Sequence, residues 1–250
     1  MPNGANEARP NAWHLQAPMK VAIMQPYFFP YMGYFQLIGA VDLFIIYDNI
    51  KYTKSGWINR NRFLRNGEDI VFTVPVRKDS DFLDVRDRAV AGDFDRGKLL
   101  NQLREAYRRA PHFQEAFPVI QRSVMSPVEN LFQYIHGSVV EVCRYLGIGT
   151  PLVASSSIAV DPVLKAEDRV LALCKVAGAS VYINSIGGQK LYSREQFEAE
   201  GVKLKFLESH AITYQQFGDP FVPSLSIVDV MMFNPVSTIR EFLETRYDLI

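Results

Sequence analysis

The stretch that decides the fold is KVAIMQPYFFPYMGYFQLIGAVDLFIIYDNIKYTKSGWINRNR, from Lys20 to Arg62. Its opening apolar run, Lys20–Gln25, is closed by a proline and predicts a buried parallel strand that ends in a loop. Apolar residues recur at helical spacing from Met32, which predicts a short helix ending near Gly39. A second apolar run at 42–47 predicts another buried strand. Together these elements predict a right-handed βαβ unit.

Downstream, the alternation of helical and strand patterns returns after a mainly helical stretch. The predicted elements are strands at 70–76, 155–160, 180–185 and 202–207, and helices at 98–109, 115–124, 130–146, 165–177, 193–200, 227–233 and 237–245. This order predicts an α/β fold with a mostly parallel sheet and flanking helices, built as Rossmann-like halves around a helical middle segment. We expect a single α/β domain over 19–250 with a helical insertion at about 79–151, preceded by a disordered leader over 1–18.

The composition argues against several classes of protein. Lysines plus arginines and aspartates plus glutamates both total 27, so no net charge attracts the chain to DNA. The two cysteines, Cys143 and Cys174, lack CxxC or Cys/His spacing, which argues against a disulfide framework or a zinc site. No run approaches the roughly 18 apolar residues of a membrane span, so we expect no membrane insertion. A protein of the reducing cytoplasm fits these features best.

Polar side chains follow three of the predicted strands, in the loops after Gln25, Asp48 and Ser185. Because the carboxyl ends of parallel strands share one edge of a sheet, we expect these loops to converge on one crevice. In the first loop, the amide of Gln25 and the tyrosine hydroxyls, that of Tyr34 above all, are candidates for ligand contact. The neighbouring phenylalanines are predicted to belong to the core.

The second loop, 49–66, is too long for a tight turn, and long loops in compact domains usually serve a function. Its candidate binding residues are Trp57, Asn59, Arg60, Asn61 and Arg62. An indole beside amide and guanidinium donors predicts a pocket for a polar ring that carries phosphate, because arginine binds phosphate through two hydrogen bonds. The alternative is a solvated loop with one buried tryptophan.

Two further segments carry candidate binding residues, which are Gly187, Gly188, Lys190, Tyr192, Tyr214 and Gln216. The glycines and the lysine of the first segment could cradle a phosphate with backbone N–H groups and a positive charge. The segment lacks the full patterns of known phosphate loops, so a plain tight turn is the alternative. The second segment adds polar groups ahead of a helix.

Recognisable catalytic acids, bases and nucleophiles are scarce in this sequence. The four histidines show no metal spacing, and no Ser-His-Asp or Cys-His arrangement can be assembled from neighbouring residues. We therefore predict no metal site, and the candidates for a catalytic base are Asp48, Asp229 and His210. Asp229 would equally serve as a first-turn acid in a helix capped by Ser226.

The turn at 30–34 has the outline of the HxGH phosphate-binding turn of adenylyl-transferring α/β enzymes, with Tyr31 and Tyr34 in the histidine positions. Its Gly33 would let a phosphate approach the start of a helix. A chance match is the alternative, because both histidines are missing.

Five blocks of sequence, in order, resemble the WbqC-like family: AIMQPYFFPYMGY (22–34), GWINRNR (56–62), FTVPV (72–76), NSIGGQKLY (184–192) and the run at 214–234. The resemblance spans nearly the whole chain after residue 19. The residues that it places in family motifs are Gln25, Tyr34, Trp57, Asn59, Arg60, Asn61, Gly187, Gly188, Tyr214 and Asp229. Many members have His-Gln-Pro where this chain has Met24-Gln25-Pro26, so this position supplies no catalytic histidine here.

The resemblance implies a cytoplasmic transferase of O-antigen or related surface-polysaccharide biosynthesis. Some family members are described as glycine or aminoacyl transferases, so the expected reaction joins an aminoacyl group, glycyl first, to the amine of a nucleotide-linked amino sugar. In this hypothesis Arg60 and Arg62 face the diphosphate, Trp57 lies against a ring, and Asp48 or Asp229 accepts the amine proton.

The expected donor is a pre-activated aminoacyl group, on a tRNA or a carrier protein, or else an amino acid activated by ATP and Mg²⁺. Two alternative functions stay open. One is an ATP-dependent adenylating ligase that joins an amino acid to an amine, and the other is a non-catalytic sugar-binding accessory protein.

Overall fold

The structure, a computed structural model, describes residues 19–250, so the predicted leader at 1–18 lies outside the described residues. The strands are β1 (Lys20–Met24), β2 (Leu43–Ile46), β3 (Arg60–Arg65), β4 (Glu68–Thr73), β5 (Leu152–Ala154), β6 (Val181–Ser185), β7 (Lys203–Ser209) and β8 (Tyr247–Leu249). The helices are α1 (Met32–Gly39), α2 (Arg96–Tyr107), α3 (Phe113–Val124), α4 (Leu131–Leu146), α5 (Ala166–Val176), α6 (Arg194–Ala199), α7 (Ile227–Phe233) and α8 (Val236–Thr245). Short 3₁₀ helices span Val85–Asp87, Ser155–Ser157 and Ile186–Leu191.

Six strands form one sheet in the order β5-β2-β1-β6-β7-β8. All neighbouring strands are parallel except β8, which pairs antiparallel to β7. The chain runs outward from β1 through β2 to β5 and then returns to the other side of β1. For the parallel strands this is the 3-2-1-4-5 order of Rossmann sheets. The predicted α/β class with a mostly parallel sheet is confirmed, and the strand order is compatible with Rossmann-like halves.

The βαβ unit predicted from the opening stretch forms as expected. β1 and β2 pair in parallel from Val21–Leu43 to Met24–Ile46. Between them, α1 is buried from Met32 to Ile38. The aromatic loop ahead of α1 contributes to the same core, since Phe28 has no exposed surface. The phenylalanines of this region therefore belong to the core, as predicted.

One polar side chain of α1 is buried and joins the N-terminal unit to the last helix. The amide of Gln36 donates hydrogen bonds to the carbonyl oxygens of Phe242 and Arg246, each at 2.9 Å. Both carbonyls lie at the end of α8, where that of Phe242 also accepts from the N–H of Arg246 at 3.3 Å and that of Arg246 also accepts from the N–H of His210 at 2.9 Å. Gln36 thus fixes α8 against the βαβ unit.

Several local predictions were wrong or incomplete. Residues 49–66, predicted as a loop, contain β3, which forms a separate antiparallel hairpin with β4. Its two-residue turn is Asn66-Gly67, and both residues have positive φ, which is the combination that favours a tight hairpin. The strand predicted at 155–160 lies earlier, as β5, and is followed by a 3₁₀ turn. The terminal strand β8 was not predicted.

The helices α2, α3 and α4 lie between β4 and β5 in the chain. α4 ends at Gly147, whose φ of 73° is the left-handed conformation that a glycine adopts easily at this position. The carbonyl of Leu146 accepts a hydrogen bond from Arg240 Nε at 2.7 Å, so α8 also satisfies the end of α4. Among the helices of residues 19–250, none has both the length and the apolar character needed to cross a membrane.

Candidate functional site

A cavity of about 660 Å³ opens at the carboxyl ends of β1 and β6. These two strands pair only at Lys20–Val181 and Val21–Tyr182 and separate beyond those residues. The strand order reverses at this point, which is where α/β sheets bind their ligands. We call this cavity the switch-point cleft. Its walls come from the three loops that the sequence predicted to converge, together with Ser224.

The first wall is the loop after β1, which places Gln25, Tyr27, Pro30 and Tyr31 in the cleft. The Tyr27 hydroxyl donates to the side-chain oxygen of Gln25 at 3.3 Å. Tyr34 instead lies beneath this loop with 1% of its surface exposed, and its hydroxyl donates to the backbone carbonyl of Gln25 at 3.0 Å. Tyr34 therefore supports the loop from below and does not line the cleft.

The backbone of this first loop is strained at Phe29, whose φ of 44° lies in the left-handed region. Its carbonyl oxygen accepts hydrogen bonds from Asn61 Nδ2 and Ser226 Oγ, each at 2.7 Å. The next carbonyl, of Pro30, accepts from the N–H of Ile227 at 2.9 Å. Such strain costs about 1–3 kcal/mol and persists only where the surroundings fix it. The hairpin strand β3 and the start of α7 thus hold the loop that carries the cleft tyrosines.

The second wall is centred on Trp57, which is 43% exposed at the cleft. Arg60 and Arg62 lie on one face of β3, and their guanidinium carbons are 5.0 and 5.4 Å from the centre of the Trp57 ring. Arg62 lines the cleft and pairs with Asp69 at 2.9 Å. Arg60 donates to the carbonyl of Ser55. Both guanidinium groups therefore already have partners within the protein.

The third wall combines the end of β6 with the following 3₁₀ helix, and its lining residues are Asn184, Ser185, Gly187, Gly188, Leu191 and Tyr192. Asn184 donates from Nδ2 to the Tyr182 hydroxyl at 2.9 Å and accepts from the N–H of Ser185 at 2.7 Å. A Cβ at Gly188 would lie 3.1 Å from the Asn184 amide, so the glycine lets this segment pack closely on that amide. Lys190, in the same segment, is exposed and does not line the cleft.

The cleft is aromatic and nearly uncharged. Among the described residues that line it, Arg62 is the one ionised side chain, and none is Asp, Glu, His, Cys or Lys. Burial raises the pKa of Tyr27, Tyr31 and Tyr47, so these hydroxyls stay protonated at neutral pH. This arrangement can hold and orient a polar ring, but it contains no strong proton acceptor.

Asp48, a predicted catalytic base, does not line the cleft and is only 2% exposed. Its Oδ1 accepts hydrogen bonds from Ser155 Oγ and from the N–H of Ser156, each at 2.9 Å, and its Oδ2 accepts from Ser156 Oγ at 2.6 Å. Asp48 therefore fixes the 3₁₀ turn after β5. This geometry favours a structural role.

Asp229, the second predicted base, is fully buried at the centre of a hydrogen-bond network. It accepts from the hydroxyls of Tyr107 at 2.8 Å and Tyr214 at 2.7 Å, and from the amide of Gln216 at 2.8 Å. Burial raises the pKa of Asp229, although these donors act to lower it. Tyr107 in turn accepts from the N–H of Leu64 at 2.8 Å, so the network joins α7, α2 and β3.

Tyr214 and Gln216 line a second cavity of about 250 Å³, which shares no lining residue with the switch-point cleft. His210 lies elsewhere, with its Nε2 2.9 Å from Asp248 where β7 meets β8. Asn59 is buried. Its Oδ1 accepts a hydrogen bond from the Tyr52 hydroxyl at 3.0 Å, and its Nδ2 donates to the carbonyl of Val74, just after β4, at 2.7 Å. The structure therefore does not bring these four predicted site residues into the cleft.

The structure adds four polar lining residues that the sequence did not single out, namely Tyr47, Asn184, Ser185 and Ser224. Tyr47 follows β2, and Asn184 and Ser185 end β6, so the rule that ligands bind at carboxyl ends could have identified them. Ser224 carries no such signal. Its φ of 58° and the hydrogen bond from Arg62 to its carbonyl at 3.3 Å depend on contacts between distant segments.

Comparisons with known proteins agree with the resemblance seen in the sequence. The profile of the WbqC-like protein family matches residues 25–241, which include most of all three cleft walls. The chain is 28% identical over 227 residues to "Uncharacterized protein Rv1507c" of Mycobacterium tuberculosis (strain ATCC 25618 / H37Rv), covering 90% of this chain and 97% of that protein. No solved structure matches the chain at a significant level. Because the family match spans well over half of its length, this chain belongs to the WbqC-like protein family.

Proposed function

We propose that the chain is a cytoplasmic transferase that joins an aminoacyl group, glycyl first, to the amine of a nucleotide-linked amino sugar in O-antigen or related glycan biosynthesis. Its membership of the WbqC-like family supports a link to surface polysaccharides, through the resemblance described above. The observation that carries the proposal is the switch-point cleft, which combines aromatic rings with amide and hydroxyl groups at the carboxyl edge of the sheet.

The lining of the cleft suits a sugar ring. Aromatic side chains offer flat apolar surfaces that can cover the C–H face of a sugar, and Trp57 presents such a surface at the rim. Gln25, Ser185 and the tyrosine hydroxyls can bond with sugar hydroxyls, because they both donate and accept hydrogen bonds. A ligand held in this way is oriented without strong charges.

Acyl transfer from an activated donor needs little acid–base chemistry from the protein. The lone pair of the neutral amine attacks the acyl carbonyl carbon, a C–N bond forms, and the bond from that carbon to the donor's oxygen or sulfur breaks. The proton lost from nitrogen is taken up by the departing alkoxide or thiolate, directly or through water. Orientation of the reactants can lower such a barrier by about 7–11 kcal/mol. A cleft without a base is therefore compatible with an ester donor on tRNA or a thioester donor on a carrier protein.

An adenylating ligase would need the turn at 30–34 to hold the phosphates of ATP. A Cβ at Gly33 would lie 2.6 Å from the Tyr31 ring and 2.7 Å from Ser209 Oγ, so protein atoms already occupy the space beside this glycine. Tyr34, in the second histidine position, is buried. The residues of this turn do not fit ATP and its Mg²⁺, and a pre-activated donor is the better match.

The proposal is tested by product analysis. The full-length protein is incubated with dTDP-linked amino sugars and with glycyl-tRNA, a glycyl thioester, or glycine with ATP and Mg²⁺. We expect mass spectrometry to detect a glycylated sugar nucleotide with a pre-activated donor. The absence of that product with every donor, across sugars that are shown to bind, would contradict the transferase proposal.

A second candidate function is that of a non-catalytic sugar-binding accessory protein. The lack of Asp, Glu, His, Cys and Lys among the cleft residues that the structure describes favours this candidate. It predicts that an amino sugar binds in the cleft and leaves it unchanged. Calorimetric binding without any product in the donor panel would select this function over the transferase.

A further inference from the structure

On the basis of the function proposed above, we infer that Tyr192 is a catalytic residue of the switch-point cleft. Its hydroxyl donates a hydrogen bond to the carbonyl oxygen of the acyl group, where negative charge develops during transfer. Asn184 and Tyr182, which lie behind Tyr192, direct its proton into the cleft. The sequence marked Tyr192 only as a candidate for ligand binding.

The amide of Asn184 is held in one orientation at the end of β6. Its Oδ1 accepts from the N–H of Ser185 at 2.7 Å, and a flipped amide would place two donors against each other. The Nδ2 group therefore faces the Tyr182 hydroxyl and donates to it at 2.9 Å. Asn184 is 4% exposed and packs against Gly188, so the amide has little room to turn.

The Tyr182 hydroxyl passes this polarity on to Tyr192. It is fully buried and accepts from Asn184, and among residues 19–250 its other hydrogen-bond partner is the Tyr192 hydroxyl, at a long 3.5 Å. If Tyr192 donated to Tyr182, the proton of Tyr182 would be buried without an acceptor, which is unfavourable. Tyr182 therefore donates and the Tyr192 oxygen accepts, so the proton of Tyr192 is directed away from Tyr182.

Aromatic packing fixes the position of this hydroxyl. The ring of Phe197 stacks on that of Tyr182, with centroids 5.3 Å apart and planes 8° from parallel, and it meets the ring of Tyr192 edge to face at 5.8 Å. Tyr182 and Tyr192 also meet edge to face, at 5.6 Å. A donor held by packed rings needs little reorganisation when charge develops on its partner.

The proton of Tyr192 is left for a ligand. Tyr192 is half-buried and lines the cleft, and within the described part of the chain its hydroxyl donates to no protein atom. A sugar hydroxyl both donates and accepts, whereas a carbonyl oxygen can only accept. A hydroxyl whose oxygen is engaged and whose proton is free therefore matches a carbonyl oxygen. Gln25 and Ser185, also on the lining, can serve the sugar hydroxyls.

The groups around Tyr192 keep its hydroxyl protonated. Burial has the largest effect on the pKa of Tyr192 and raises it, and the carboxylate of Glu167 adds to this effect. The hydrogen bonds from Tyr182 and Asn184 act to lower the pKa, but the net direction is upward. Glu167 itself accepts from the N–H of Ser193 at 2.6 Å. Tyr192 is therefore a donor at neutral pH.

The step needs no proton transfer from Tyr192. As the amine attacks the acyl carbon, the π electrons of the carbonyl move onto oxygen, and the hydroxyl donates to this oxyanion while keeping its proton. The carbonyl re-forms when the bond to the donor's oxygen or sulfur breaks, and the departing atom takes up the proton from nitrogen. A hydrogen bond of this kind is stronger in the transition state than in the ground state, so it raises kcat.

The experiment measures glycyl transfer by the full-length protein, with the pre-activated donor and the dTDP-linked amino sugar that give product. Tyr192→Phe keeps the ring and removes the donor. We expect kcat to fall by about 100-fold, with the Kd of the sugar nucleotide in calorimetry unchanged. Tyr145→Phe, on α4 and outside the cleft lining, should keep the kcat and the Kd of the natural protein. An unchanged kcat, or a loss confined to Kd that places the proton on the sugar or its phosphate, overturns the inference.

Two further variants make the test independent of folding defects. Replacement of Tyr192 by 3-fluorotyrosine makes the hydroxyl a stronger donor and a weaker proton acceptor, so kcat should at least equal that of the natural protein, and a fall would count against the inference. The double variant Tyr182→Phe with Tyr192→Phe should be no slower than Tyr192→Phe, because Tyr182 acts through Tyr192. Additive losses would contradict this coupling.

The proposed function and the inference fail in different ways. Absence of product from the natural protein with every donor overturns both. Product from the natural protein, together with an unimpaired Tyr192→Phe variant, overturns the inference alone and leaves the transferase proposal intact.

Discussion

The side-chain amide of Asn61 lies 2.7 Å from the carbonyl oxygen of Phe29 and donates a hydrogen bond to it. This bond connects the hairpin strand β3 to the loop after β1, and it holds a bulky residue in the left-handed region. The same loop presents Tyr27 and Tyr31 to the switch-point cleft. The shape of the first cleft wall therefore depends on an asparagine that itself belongs to the second wall.

The replacement Asn61→Ala should destabilise the protein and loosen the cleft. It leaves the Phe29 carbonyl with one buried donor in place of two, and we expect the free energy of unfolding to fall by about 1–3 kcal/mol. Urea denaturation measures this change. The control Asn101→Ala, on the exposed face of α2, should shift it by less than about 0.5 kcal/mol. Equal effects of the two variants would show that the Asn61 contact contributes little.

Two glycines of α1 give a matched pair. A methyl group at Gly33 would meet the Tyr31 ring and Ser209 Oγ at 2.6 and 2.7 Å, whereas one at Gly39 meets nothing within 4 Å. We expect Gly33→Ala to lower the free energy of unfolding by about 1–3 kcal/mol through overpacking, and Gly39→Ala to be neutral or slightly stabilising. Thermal unfolding compares them. A neutral Gly33→Ala variant would instead mean that this glycine faces open space that a phosphate could enter.

The pH dependence of stability should reveal the buried carboxylate of Asp229. Its pKa is raised in the folded state, so its contribution to stability is fully present below the unfolded pKa of about 4 and is lost as the pH rises through the folded pKa. Asp229→Asn cannot ionise. We therefore expect the stability of the natural protein, relative to this variant, to decline as the pH rises above about 4. A difference that grows with pH would mean that the three donors outweigh burial and lower the pKa.

Trp57 should matter for ligand binding more than for folding, because it is partly exposed at the cleft. We expect Trp57→Ala to weaken binding of a dTDP-linked amino sugar by about tenfold, or about 1.4 kcal/mol, with little change in unfolding. Isothermal titration calorimetry measures the affinity. Phe82→Ala removes another exposed aromatic residue, 82% exposed and outside the cleft lining, and should bind normally. Unchanged affinity in the Trp57 variant would place the ligand elsewhere.

The sequence predicted β1, β2 and β6 well because each is a short, mainly apolar run whose pattern is local, whereas β5 has only three residues and lies earlier than predicted. It also predicted that the three loops would meet, since parallel strands share a carboxyl edge. The strand predicted at 70–76 corresponds to β4, but its partner β3 was missed, although Asn66-Gly67 is a strong turn signal, because the charged residues of β3 resemble a loop. The terminal strand β8 has only three residues and is defined by its pairing with β7.

The roles of single polar residues were harder to predict, because they depend on contacts between distant segments. Asp229 meets Tyr107 across 122 positions of the chain, and Asp48 meets Ser155 across 107. No local pattern in the sequence shows which distant partners these carboxylates will find. Trp57, Asn61 and Arg62 do line the cleft, but the partners that Arg62 finds in Asp69 and Ser224 appear only in the folded chain.

The most direct test of the account is a crystal structure of the protein with a bound dTDP-linked amino sugar. We predict electron density for the sugar ring in the switch-point cleft, against Trp57 and within hydrogen-bond distance of Tyr31 or Tyr47. Density for the sugar in the cavity beside Tyr214, with none in the switch-point cleft, would contradict the proposed site.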